Sequence, residues 1–125
     1  MRKRILQVLS RFVRLPSLAL VVVTVGCGAA AIHSVPVGVL HPPPTTPERV
    51  WLLLSTPRCP FQDVAFVEGE SRGDSVDVTL ELMRARAARY GADALVLVQH
   101  QDGAHGNNHA YNASAVVFTD PSCRG

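Results

Sequence analysis

Beyond residue 26 this 125-residue chain has no lysine, and its seven arginines there face ten aspartates and glutamates, a balance of −3. The first twenty-six residues are the reverse, with Arg2, Lys3, Arg4, Arg11 and Arg14 and no acid at all. The overall charge of +2 therefore belongs to the leader, and the remainder has no cationic excess to neutralise phosphates. Aromatic side chains make up only 6% of the chain, too few for a base-stacking platform. These absences argue against a nucleic-acid partner. No apolar run reaches the roughly 20 residues that span a bilayer core. The longest, Leu18 to Ile32, is about 15 residues and is rich in Gly and Ala toward its end. There is no Gly-x-Ser-x-Gly elbow to activate a serine, and Gly69, Gly73 and Gly91 are not spaced as a phosphate cradle. Ser71 and Ser75 read as loop and cap residues, and Glu68 and Glu70 as a solvated strand end. No residue set amounts to a catalytic site, so the chain is read as a non-enzyme without a cofactor.

What is present begins with an export leader. Met1 to Arg14 is basic, Leu18 to Val25 is apolar, and Gly26-Cys27 comes next. Thr24-Val25-Gly26-Cys27 resembles a lipobox, where bacteria attach diacylglycerol to the cysteine thiol and cleave on its N-terminal side, although Thr24 stands where Leu is usual. Two other readings remain open: an uncleaved anchor over Leu18–Ile32, and ordinary cleavage after Ala29-Ala30-Ala31. All three export the C-terminal domain. The division expected is a leader over 1–26, a lipidated cysteine and flexible tether over 27–47, and a globular domain over 48–125. Within the tether, His41-Pro-Pro-Pro-Thr-Thr-Pro47 favours polyproline II, a semi-rigid spacer between lipid and domain.

From Glu48 the pattern changes. Arg49 to Leu54 and Gln62 to Glu68 read as strands, separated by the turn-rich Thr56-Pro-Arg-Cys-Pro60. A helix comes next, capped by Asp74 or Ser75, with Val76, Leu80, Met83, Ala87 and Tyr90 forming one apolar stripe and Gly91 ending it. Ala94–Val98 suits a strand buried on both faces, Gln99–His109 a polar loop, and Ala110–Thr119 a last strand. The order β-β-α-β-β predicts a small α+β domain with one helix on a short sheet. Its core is small, which makes a covalent staple useful. If Cys27 carries lipid, Cys59 and Cys123 remain as an even pair in an oxidising compartment, to be read as a disulfide or as two free thiols.

Pro57-x-Cys59-Pro60-Phe61, a strand ending in Gly69, the helix, and Arg86-Ala-x-x-Tyr-Gly91-Ala-Asp-Ala-Leu-Val96 together resemble a group of small bacterial envelope lipoproteins that includes the RcsF stress sensors. The resemblance covers roughly residues 50–118. It implies a non-catalytic, membrane-tethered domain facing the periplasm or the surface, which senses stress or contacts an envelope protein. Those sensors hold their fold with two disulfides, whereas this chain has cysteines for one at most.

The remaining candidate for chemistry is a histidine-rich segment. His100, His105 and His109, with Asp102 between them, offer imidazole ligands to a transition metal. The alternatives to a sensing module are thus a metal-binding module on this loop and a structural lipoprotein without a ligand. The leader generates the first prediction. The Cys27 peptide should carry added lipid mass, and Cys27→Ala should release the protein from the membrane fraction or leave the precursor uncleaved. Because Gly28 rather than Asp comes after the cysteine, the mature protein is expected in the outer membrane. A wild-type Cys27 peptide without lipid would defeat this reading.

Overall fold

The computed structural model describes residues 30–73, 76–102 and 108–124. The leader, Cys27, the expected caps Asp74 and Ser75, and His105 lie outside the described residues. Among the described residues no helix is long and apolar enough to cross a membrane.

The architecture is α+β, as expected. Strands β1 (Ala31–Pro36), β2 (Trp51–Leu53), β3 (Phe61–Arg72), β4 (Ala94–Asp102) and β5 (Asn108–Phe118) form one sheet in the order β1-β3-β5-β4-β2. Helix α1 (Val76–Arg89) packs on one face. All pairings are antiparallel except β2 with β4. The centre is the long β3–β5 ladder, running from Phe61 opposite Phe118 to Arg72 opposite Asn108. Strand alternation divides the side chains. Val67, Leu95, Tyr111, Ala113, Ala115 and Val117 meet Met83, Ala87 and Ala88 of α1, while Ala94, Val96, Val116 and Phe118 point to the opposite face. Ala94, Leu95 and Val96 are consecutive and buried because both faces of β4 are covered there.

The helix sits slightly rotated from the stripe expected. Thr79, Met83 and Ala87, four residues apart, are buried, Leu80 and Tyr90 are half-buried, and Val76 is exposed. Gly69 explains the close approach. A side chain there would run into the Met83 thioether and the Thr79 methyl. At the other end, Gly91 (φ 69°) is the left-handed residue of a Schellman motif, with Ala92 N–H donating to the Ala87 carbonyl and Gly91 N–H to that of Ala88.

One expectation is corrected. The segment read as a flexible tether over 27–47 contains an edge strand, β1, paired residue by residue with β3 from Ala31–Glu70 to Pro36–Ala65. Its proline count concealed this, but Pro36 stands last in an edge strand, where no ladder donor is needed. The triproline is docked too. Thr45 N–H donates to the Ala88 carbonyl, and the carbonyls of Pro42 and Pro43 lie where a side chain on Gly91 would project. Arg84 holds the next turn, donating from Nε to the Val50 carbonyl (3.0 Å) and from Nη2 to that of Pro47 (3.1 Å).

The face away from the helix is closed at one end by the Cys59–Cys123 disulfide, with Cα atoms 6.2 Å apart. Asp93 anchors the same end, its Oδ2 accepting from Phe118 N–H (2.9 Å) and Arg124 Nε (3.0 Å). With a sequence separation of 64, the chain-entropy model assigns the bridge about 4 kcal/mol. Converting Cys59 and Cys123 to Ser should lower Tm by roughly 10–30 °C in a domain of this size, and reductant should change that variant no further. A wild-type melting curve indifferent to reductant would contradict this.

Candidate functional site

Two features lie at opposite ends of the β3–β5 ladder. At the Arg72–Asn108 end, β4 and β5 carry a cluster of polar rings. Asp102 Oδ1 lies 2.8 Å from His109 Nδ1 and 3.1 Å from His100 Nε2, and the two nitrogens are 3.4 Å apart. Of the predicted ligands, the structure thus brings His100 and His109 together, and it adds Asp102 as a full member rather than a spacer.

The cluster depends on a β-bulge. Up to Leu97, odd-numbered residues of β4 face the helix side. The register then shifts, with Leu97 opposite Ala113 and Gln99 opposite Asn112, leaving Val98 as the extra residue. In consequence His100 lies opposite Tyr111 and Asp102 opposite His109. Without the bulge, both His100 and Asp102 would point to the other face. The bulge, and with it the extension of β4 to Asp102 through residues expected to be loop, is the part that sequence reasoning missed. The polar run Gln99–Asp102 conceals strand, and no glycine marks the bulge.

Tyr111 supports the rings from below. It is buried, and its ring stacks on His100 with centroids 4.7 Å apart and planes within 6°. Burial, and secondarily the Asp102 carboxylate, hold its phenol above the ordinary value, so it is neutral at pH 7. The rim above is open, with the side chains of His100 and Asp102 42% and 69% exposed.

The second feature is the sheet face opposite α1. One cross-strand row there reads Val35, Phe66, Ser114, Val96, Leu53. Val35 and Phe66 are 61% and 52% exposed. The adjoining Trp51 is 61% exposed. Beside them a cleft of about 510 Å³ runs along the disulfide, lined by Trp51, Leu53, Pro57, Cys59 and Phe118 among others. Toward the histidine end the same face turns polar, with His33, Glu68, Asn112 and Gln99 in one row. Sequence alternation gives this division only once the register is known.

No family model matches the chain, and no curated protein matches it. Among solved structures, the crystal structure of a Francisella virulence factor, FvfA, in its orthorhombic form is similar, with a TM-score of 0.55 at 16% identity. The match covers 74% of this chain and 100% of that one. At that identity the likeness is one of fold.

Proposed function

We propose that this protein is an exported lipoprotein whose domain is a non-catalytic interaction module, docking an envelope protein on the apolar half of its open sheet face. The observation that carries the reading is the set of exposed apolar side chains on this face, Val35 and Phe66 at the β1–β3 edge and Trp51 at the β2 edge, with half-buried Leu53 beside Trp51. An open sheet face ordinarily presents polar residues to water, and large apolar side chains gathered exposed on one face mark interaction sites.

The fold also supports an orientation. Only three residues separate Cys27 from Ala31, a reach of about 14 Å when extended. A lipid on Cys27 would therefore hold the start of β1 close to the bilayer. Ala31 lies in the row of Glu70, Ala110 and Gln101, at the histidine end. The Phe61 end of β3, nine residues from Glu70 and so about 30 Å away at about 3.3 Å per residue, carries Phe118 and the disulfide cleft beside Trp51. The cleft end of that face would then lie farther from the membrane than the histidine end, open to a partner.

Photo-crosslinking in cells tests this. A photoreactive phenylalanine analogue at Phe66 or Trp51 should give a discrete adduct with another envelope protein, and the same analogue at Glu81 on the outer surface of α1 should not. Equal labelling from all three positions, no adduct, or adducts with the chain itself alone would overturn the proposal.

A further inference from the structure

The geometry points to a divalent transition-metal site formed by His100, Asp102 and His109, at the end of the sheet where β4 leaves and β5 enters. The proposal is independent of any partner on the opposite face.

Three ligand-capable atoms from two strands converge on one point. Their separations of 2.8, 3.1 and 3.4 Å bracket the roughly 3.3 Å between ligands in a tetrahedral site with metal–ligand bonds of about 2.0–2.1 Å. An ion therefore enters once the donors spread by a few tenths of an ångström. A carboxylate oxygen and two imidazole nitrogens with their lone pairs turned inward are the donors such a cation takes. Without a cation, His100 Nε2 and His109 Nδ1 both lie within hydrogen-bond distance of the single Oδ1 while facing one another at 3.4 Å. A cation replaces that crowding with three directed bonds.

The supports suit a metal site. The bulge at Val98 fixes the register, and the buried Tyr111 ring holds His100 flat in its plane. Ligand sites work when the residues behind them restrict ligand orientation. Two nitrogens and one carboxylate oxygen form a borderline donor set, which favours Cu²⁺, Zn²⁺ or Ni²⁺ over Mg²⁺ or Ca²⁺. Cys59 and Cys123 are tied up at the far end of the sheet, so among the described residues no free thiolate competes for the ion. Three protein ligands leave at least one position open to water or to an exchanging ligand, as the exposed rim permits.

The test uses the untagged full chain carrying Cys27→Ser, which removes the one thiol outside the disulfide, held in detergent micelles and stripped with chelator. Titration with CuSO₄ and ZnCl₂ followed by calorimetry should give one ion per chain, with copper bound more tightly than zinc. The copper EPR spectrum should show hyperfine coupling to two imidazole nitrogens. His100→Gln, His109→Gln and Asp102→Asn should each weaken binding by roughly tenfold or more, since even outer partners of metal ligands are worth about 10–100-fold. Their metal-free Tm should stay near the parent's, and zinc should raise Tm in the parent alone. His33→Gln and His41→Gln should leave binding unchanged. Binding no tighter than millimolar, a spectrum without two nitrogens, or affinity that survives in His109→Gln but falls in His33→Gln would overturn the site.

Discussion

Phe61 lies opposite Phe118 at one end of the sheet and Arg72 opposite Asn108 at the other, and every other element hangs on that ladder. Because side chains alternate along a strand, its register decides which residues meet α1 and which meet water. It sets Gly69 beneath Met83, so that the helix can approach. It also separates the two surfaces by the length of β3, placing the His100–Asp102–His109 cluster at one end and the disulfide cleft at the other. β4 joins this frame with one residue too many, and Val98 absorbs the excess.

The domain solves two packing problems differently. On the helix side, small residues such as Ala87, Ala88, Ala113 and Ala115 allow two layers to come close over a core only a few side chains deep. On the other side there is no second layer among the described residues, and the chain covers only the Phe61–Phe118 end, using the disulfide and the tail held by Asp93 and Arg124. The exposed Val35, Phe66 and Trp51 left beyond that cover form the surface proposed to meet a partner. Strand β1 and the triproline segment, which ride on β3 and on the end of α1, shorten what first reads as a long tether. That brings the histidine end close to where a lipid on Cys27 would sit.

Much of this fold is legible from residues alone. The helix, its glycine stop and the Cys59–Cys123 pair accord with local rules of propensity, capping and cysteine arithmetic, whereas of Ala94–Val98, read as buried on both faces, only Ala94–Val96 is buried and Val98 is exposed. Strand β1 is hidden because Gly and Pro around it look like linker, and an edge strand needs little hydrophobicity to pair. His100 and His109 are visible as candidates, but their convergence on Asp102, and the stacking on Tyr111, depend on a bulge that no glycine or proline marks. Likewise, Val35, Phe66 and Leu53 come from three strands, so their shared row exists only in the register.

That register is accessible to direct observation. In the isotopically labelled full chain in micelles, nuclear Overhauser contacts across β4 and β5 should join His100 to Tyr111 and Asp102 to His109, with Leu97 opposite Ala113 and Val98 unpaired. A ladder running without interruption from Leu97–Ala113 to Gln99–Tyr111 and His100–Ala110 would contradict the account, since it would send His100 and Asp102 to the side of the sheet opposite His109.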